Sequence, residues 1–300
     1  MHDSHIHLAL KPLRDNLQRD TQDFIADGGK HILTQGTDIE DFTDTIEIAS
    51  KLNKKFGNIV DIALGIHPTV FREIFSNANL EDILKLSRKF LARFVETFEK
   101  EKKKLTAVGE TGLDYYEMYN SGIDYDWTSI LKDIQKESFK VHIQMARENN
   151  LPMSIHAREL TGKTDCVNDT LSQIAKTGGG LIKGSFHSYT GELPPVSDIL
   201  DLGFCIGFNA IITYPKGENV REILRRTPED RILFETDGPF LAVQSVRKNK
   251  KALIRYGRSQ QIKEIIQTAA EIKNISPQKL EAITDENYER VFEKPSSFLK

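Results

Sequence analysis

Short apolar runs alternate along the chain with longer stretches in which apolar residues recur every three or four positions. The run at residues 59–68 is almost continuously apolar and is stopped by Pro68, as is typical of a strand buried on both faces. Residues 79–104 instead have apolar positions at helical spacing and end in a charged segment. Strands that alternate with helices in this way predict a parallel sheet.

Eight such strands can be placed. The first contains His5, and the others are predicted at residues 31–36, 59–68, 105–110, 152–156, 181–187, 203–209 and 231–237. Predicted helices cover residues 21–29, 39–56, 79–104 and 126–149, and a loop of aromatic residues follows the fourth strand. Eight units of this kind predict a closed (β/α)8 TIM barrel. No linker rich in Pro, Gly or Ser interrupts the pattern, so residues 1–300 are expected to form a single domain.

The composition is that of a globular protein, and the length suits one barrel domain. The chain has 300 residues, of which 39% are hydrophobic and 28% charged, and a barrel takes about 250 residues as one unit. A net charge of −3 argues against nucleic-acid binding by overall electrostatics, so any such role must be local.

The expected environment is the cytoplasm. Cys166 and Cys205 provide no disulfide framework and no zinc-knuckle spacing, which fits a reducing compartment. We find no apolar run of membrane-spanning length and no signal peptide before His5, so no membrane partner is expected. The expected oligomeric state is a monomer.

His5 and His7 are the first candidates for chemistry. Alternate residues of an extended strand point to the same face, so both imidazoles can approach one metal ion. Taken alone, such a pair is more often chance or a half-buried polar strand than a pair of metal ligands.

Further metal-ligating residues end other predicted strands. Strands one, four, five, six and eight end in His5 with His7, Glu110, His156, His187 and Asp237. Each residue alone has a structural explanation, as a hydrogen-bonded histidine or a buried ion-pair partner. Because the carboxyl ends of barrel strands meet at one face, however, all six are expected in one cleft.

Six ligands are too many for one tetrahedral ion and suit two divalent cations bridged by a carboxylate, for which Glu110 is the natural candidate. Such a pair activates water, so the expected reaction is hydrolysis.

Several segments resemble, in order, the signatures of the TatD family of metal-dependent deoxyribonucleases, of the amidohydrolase type. They are residues 5–7, 65–68, 107–115, 151–158, 187–191 and 235–241, and residues 287–292 resemble the closing Asn-x-x-Arg-x-Phe segment. The most specific segment is Gly-Glu-Thr-Gly-Leu-Asp at residues 109–114.

The resemblance implies a binuclear 3′–5′ exonuclease acting on DNA, on single strands or 3′ ends. One cation would be held by His5, His7, Glu110 and Asp237, and the other by Glu110, His156 and His187. Asp237 would take the proton from the attacking water, while His67 and Arg158 would contact the substrate phosphate. The mixed ligands suit Zn, Mn or Co, and a shell completed by water admits Mg.

The chain departs from the family pattern at Ser188, Tyr189, Gly238 and His142, and the last is expected to be structural. A larger departure is the basic segment at residues 247–258, where relatives have an Arg-Asn-x-Pro segment. This segment is either solvated surface or a contact for an anionic polymer, with Tyr256 available to stack on a base.

Two other functions stay open. The same centre could attack a carbonyl, as an amidohydrolase, an esterase or a deacylase of aminoacyl-tRNA. Many relatives of that kind bridge their metals with a modified lysine, so Glu110 favours the nuclease. A barrel that only binds a partner is the third alternative, and the complete ligand set argues against it.

Overall fold

The computed structural model describes residues 1–75, 80–120 and 125–292. Eight parallel strands pair in sequence order, which confirms the predicted (β/α)8 barrel. The strands are β1 (His2–Ile6), β2 (His31–Gly36), β3 (Val60–Leu64), β4 (Ala107–Asp114), β5 (Met153–Arg158), β6 (Gly184–Phe186), β7 (Cys205–Phe208) and β8 (Ile232–Phe234).

Helices cover the outside of the sheet. They are α1 (Leu17–Ala26), α2 (Phe42–Phe56), α3 (Val70–Phe75), α4 (Leu80–Glu101), α5 (Tyr116–Asn120), α6 (Tyr125–Asn149), α7 (Asp165–Gln173), α8 (Pro195–Asp201), α9 (Glu218–Arg226), α10 (Gln244–Lys248), α11 (Ile262–Lys273) and α12 (Pro277–Phe292). The predicted loop of aromatic residues therefore contains α5, and the helix predicted at residues 21–29 begins earlier, at Leu17. The predicted first residue of α4, Asn79, and residues 293–300 lie outside the described residues. No described helix is long and apolar enough to cross a membrane.

The sheet closes between β8 and β1 at its carboxyl end. Just beyond the two strands, the His7 amide donates to the Gly238 carbonyl at 2.8 Å, and the Asp237 amide donates to the His5 carbonyl at 2.9 Å. The segment that carries Asp237 is therefore fixed directly to the segment that carries both N-terminal histidines.

The opposite end of the barrel is filled. Apolar residues of α12 pack against inward-facing side chains of five strands, in a cluster of Leu33, Ala63, Ala107, Cys205, Leu233, Tyr288, Val291 and Phe292. A larger apolar core lies between the sheet and the surrounding helices. With the amino end closed by α12, the accessible end of the barrel is the carboxyl end.

Several predicted strand ends are wrong. Strands β3 and β8 end earlier than predicted, at Leu64 and Phe234, whereas two others continue further. Strand β4 continues four residues past Glu110 to Asp114, and β5 continues past His156 to Arg158. Both strands are longer than predicted because they pair with each other above the barrel, Gly112 with His156 and Asp114 with Arg158. This approach is close: Gly112 has φ 146°, and a Cβ there would collide with the His156 carbonyl oxygen.

Both β1 and β4 contain one extra residue relative to a neighbour. Between Val108 and Thr111, β4 advances three residues while β5 advances two. Strand β1 does the same against β2 between Asp3 and Ile6. These irregularities are bulges, which redirect side chains locally, and they contain His5 and Glu110.

Candidate metal centre

A cleft of about 1120 Å³ opens at the carboxyl end of the barrel, and His7, Glu110, His156, His187 and Asp237 line it. His5 lies just beneath, fully buried, with its Nε2 atom 3.2 Å from Glu110. The structure thus brings together all six residues that the sequence proposes as metal ligands.

The two carboxylate oxygens of Glu110 face different histidines. Oε2 lies 3.2 Å from His5 Nε2 and 3.5 Å from His7 Nε2. Oε1 lies 3.0 Å from His156 Nδ1 and 2.7 Å from His187 Nε2. Glu110 therefore stands between two sets of nitrogen donors, which is the position that a bridging carboxylate needs.

Candidate ligand atoms form three overlapping groups, each with its atoms within 4.8 Å of one another. The groups are His5, His7 and Glu110; His5, His187 and Asp237; and His67, Glu110 and His156. Neutral imidazoles and carboxylates are donors that divalent transition metals accept. The residues present therefore fit a metal centre.

The electrostatics of the two carboxylates favour their ionised forms. Burial would raise the pKa of Glu110, but the imidazoles of His187, His67 and His5 hold that pKa well below its usual range. Burial likewise opposes ionisation of Asp237. A hydrogen bond from His7 and the charges of His187 and His5 outweigh burial and lower the pKa of Asp237. Both groups are thus suited to hold cations.

Sequence reasoning missed three polar residues beside the histidines, and two of them, Ser154 and Asp114, orient a histidine by a hydrogen bond. His5 Nδ1 lies 2.9 Å from Ser154 Oγ, and His156 Nε2 lies 2.8 Å from Asp114 Oδ2. Glu235 is fully buried with Oε1 3.6 Å from His187 Nδ1. A signal for Ser154 was available, because it precedes the proposed ligand His156 by two residues and so faces the same side of β5.

Asp114 determines which nitrogen of His156 faces the centre. Burial opposes ionisation of Asp114, but the hydrogen bond to His156 lowers its pKa, so the carboxylate accepts the Nε2 proton. The lone pair of His156 then lies on Nδ1, on the side of Glu110. By contrast, His5, His7 and His187 direct Nε2 toward the carboxylates.

His67 is oriented as a hydrogen-bond donor. Its Nδ1 accepts from the Thr69 amide at 3.3 Å, so in the neutral ring the proton lies on Nε2. Burial lowers the pKa of His67, which favours that neutral form. Nε2 lies 3.2 Å from Glu110 Oε1, at the edge of the cleft.

Arg158 lies on the rim of the cleft and not in its centre. Its guanidinium stacks on the Tyr116 ring at 4.0 Å, and Nη1 lies 3.7 Å from Glu117. Arg72, which sequence reasoning did not single out, donates to the same Glu117 at 3.1 Å and also lines the cleft. Two half-exposed guanidiniums therefore flank one wall.

Asp237 is held in an uncommon backbone conformation, with φ 51°. A non-glycine residue there is strained, and such strain concentrates at functional positions. Its Oδ1 atom lies 3.3 Å from His7 Nε2, and the carboxylate remains partly accessible from the cleft.

The residues that depart from the family pattern have structural partners. His142 accepts from the Ile66 amide at 2.9 Å and stacks on Phe94 at 4.2 Å, in line with the structural role expected for it. The Tyr189 hydroxyl donates to the Glu192 carbonyl, and the Ser188 hydroxyl accepts from Asn209. None of these contacts enters the group of proposed ligands.

A barrel with this donor set at its carboxyl end is the architecture of a metal-dependent hydrolase. The family model described as "TatD related DNase" matches residues 2–293, and the chain belongs to that family. It is 27% identical over 292 residues to "Uncharacterized metal-dependent hydrolase YabD" of Bacillus subtilis, covering 97% of this chain and 98% of that protein.

Two solved structures show the same fold. The TatD homologue YjjV of Escherichia coli has a TM-score of 0.75 at 20% identity, covering 98% of both chains. The phosphotriesterase homology protein of Escherichia coli, complexed with phosphate in its active site, has a TM-score of 0.63 at 13% identity, covering 97% of this chain and 98% of that one. The protein is thus a metal-dependent hydrolase of the TatD family.

Proposed function

We propose that this hydrolase is a deoxyribonuclease that uses two divalent cations to remove nucleotides from the 3′ ends of DNA. The observation that carries the proposal is the position of Glu110 between two sets of imidazoles in an open cleft. The description of the family as DNases supports it. The phosphate bound by the phosphotriesterase homology protein supports a phosphoryl substrate.

One cation would be held by His5, His7, Glu110 and Asp237, and the second by Glu110, His156 and His187. Bound cations of this kind lower the pKa of water and neutralise charge on a phosphate undergoing displacement. Mg, Mn, Zn and Co are the candidates.

Asp237 is proposed as the general base. Its lowered pKa leaves the carboxylate ionised at neutral pH, and its side chain reaches the cleft. As water attacks phosphorus, its proton passes to Asp237, and the bond from phosphorus to the 3′ oxygen of the preceding sugar breaks. Solvent water protonates the leaving oxygen, and Asp237 returns its proton to solvent.

His67 and Arg158 are proposed to position the phosphate. The Nε2 proton of His67 points to the region beside Glu110, where a non-bridging phosphate oxygen can accept it. Arg158 offers a planar guanidinium on the rim, a geometry suited to phosphate.

The test is hydrolysis of 5′-labelled single-stranded DNA by protein loaded with each of the four metals. We expect a chelator-sensitive ladder that shortens from the 3′ end. Asp237→Asn should reduce the rate by at least about 10³-fold, because the variant loses the base and a charged ligand of the first cation, while DNA binding is largely kept. Asp201→Asn, at the exposed end of α8, is the matched control and should retain the wild-type rate.

Intact DNA with every metal would overturn the nuclease assignment, and cleavage of acyl esters or aminoacyl-tRNA would then identify a carbonyl substrate. Normal DNA hydrolysis by Asp237→Asn would instead contradict the two roles assigned to Asp237, as base and as cation ligand, and leave the nuclease assignment standing.

A further inference from the structure

The segment from the end of α10 to the start of α11 carries a group of exposed cations. Residues 247–258 contain six Lys or Arg residues and no Asp or Glu. Lys248, Lys250, Lys251 and Arg255 are exposed, and among the side chains that the structure describes they form no ion pair. We refer to these four residues as the basic tip.

Cations close to the basic tip are paired. Arg258 contacts Asp20 at 3.1 Å and Asp23 at 2.6 Å, and Lys263 contacts Asp27 at 3.1 Å. Carboxylates of α1 and of Asp27, just after it, therefore neutralise the cations that follow the tip but leave the tip itself positive. An exposed cluster of one sign attracts partners of the opposite sign.

Both ends of the loop are anchored at the wall of the cleft. At one end, Arg247 stacks on Tyr214 at 4.3 Å, and the Tyr214 hydroxyl donates to the Ala242 carbonyl at 2.7 Å. At the other end, the Gly257 amide donates to the Pro239 carbonyl at 3.0 Å. Phe240 and Leu241, between these anchor points, line the cleft. The segment that carries the basic tip therefore begins and ends beside this wall, which follows Asp237 in the chain.

Tyr256, which the sequence suggests could stack on a base, makes its contacts within the protein. The Tyr256 hydroxyl donates to Asp20 at 2.6 Å and accepts from Arg19 at 2.7 Å, and its ring packs against the core. Tyr256 thus fixes the loop, which leaves the charges of the tip as the part available to a ligand.

We propose that the basic tip binds backbone phosphates of single-stranded DNA on the 5′ side of the nucleotide being removed. This inference rests on the proposed function, because it assigns the loop to the same substrate. Lysine and arginine on an exposed loop contact phosphates without reading bases, so the tip favours longer strands regardless of sequence.

The test compares two triple variants with the same change in charge. In the first, Lys248, Lys250 and Lys251 are all changed to Gln. In the second, the same change is made at Lys54, Lys100 and Lys176, which are exposed and lie just before β3, β4 and β6, at the opposite end of the barrel. Binding of a labelled oligonucleotide of about 20 nucleotides is measured by fluorescence anisotropy between about 50 and 300 mM salt.

We expect the tip variant to bind at least about tenfold more weakly at low salt, and its plot of log affinity against log salt to be less steep by up to about 2. Its loss of kcat/KM should be greater on the long strand than on a dinucleotide. The control variant should match wild type. Equal affinity and salt slope in the two variants would overturn the inference while leaving the nuclease intact, whereas absence of hydrolysis by wild type on either DNA length would overturn the proposed function.

Discussion

Single hydrogen bonds determine which nitrogen of His5 and of His156 faces the centre. Asp114 is the clearest case, because its buried carboxylate lies 2.8 Å from His156 Nε2 and accepts the proton there. Its second oxygen accepts from the Glu117 amide at 2.9 Å, so the carboxylate itself is held in place. Partners of this kind fix the tautomer of a metal-binding histidine.

Asp114→Asn should therefore weaken metal binding without unfolding the protein. The amide can keep the contact to Glu117 but presents NH₂ to His156, which favours the proton on Nδ1, the nitrogen that faces Glu110. We expect a loss of about 10- to 100-fold in affinity for one cation, measured by equilibrium dialysis. Asp169→Asn, which changes a carboxylate bound to the Tyr115 hydroxyl, is the control. Unchanged affinity in Asp114→Asn would show that Asp114 does not orient the ligand.

The sequence revealed the proposed ligands better than the residues that support them. His5 and His7 are visible because a period of two is a local property of a strand. Ser154 and Asp114 act on histidines of other strands, so their roles depend on register, which the bulges in β1 and β4 change. The bulge in β4 and the pairing of β4 with β5 explain why Glu110 does not end its strand.

At the level of elements, β7 and β8 pack so closely that only glycine fits beneath Glu235. A Cβ at Gly207 would collide with the Glu235 carboxylate. That carboxylate accepts from the Ser188 amide at 2.5 Å and faces His187, so the small residue on β7 leaves space for a group that supports the centre.

Gly207→Ala should destabilise the protein by about 1–3 kcal/mol, because the added methyl group displaces Glu235 or separates the strands. Chemical denaturation measures this change. Gly178→Ala is the matched control, since its Cβ would meet only the flexible end of Ile182, at 3.1 Å. Equal stability of the two variants would show that β7 and β8 accommodate the methyl group freely.

At the level of the whole molecule, an ion-pair cluster secures α12 across the amino end of the barrel. Asp285 lies 2.9 Å from His2 Nδ1 and 2.8 Å from Lys30 Nζ. Burial opposes ionisation of Asp285, but His2 and Lys30 outweigh it and hold its pKa below the usual range. The helix that fills the barrel is thus joined to β1 and to the segment before β2.

Asp285→Asn should lower the melting temperature at neutral pH, and the difference from wild type should shrink in acid. Because the folded pKa is depressed, the stabilisation is fully present above the unfolded pKa of about 4 and is lost as pH falls toward the folded value. Thermal unfolding across this range measures the effect. Glu286→Gln, at the exposed neighbouring position, should show no such convergence. A constant difference at all pH values would indicate lost packing instead of lost charge.

The extra residues in β1 and β4 set a limit on how regular this barrel can become. Deleting one residue from either bulge would restore an even ladder with the neighbouring strand, which is the arrangement that backbone hydrogen bonding favours. The same deletion would shift the alternation of side chains by one and turn His5 or Glu110 toward the helices. The most orderly sheet that this chain can form is therefore one without a metal centre, so the proposed centre depends on the number of residues in β1 and β4 as much as on their identity.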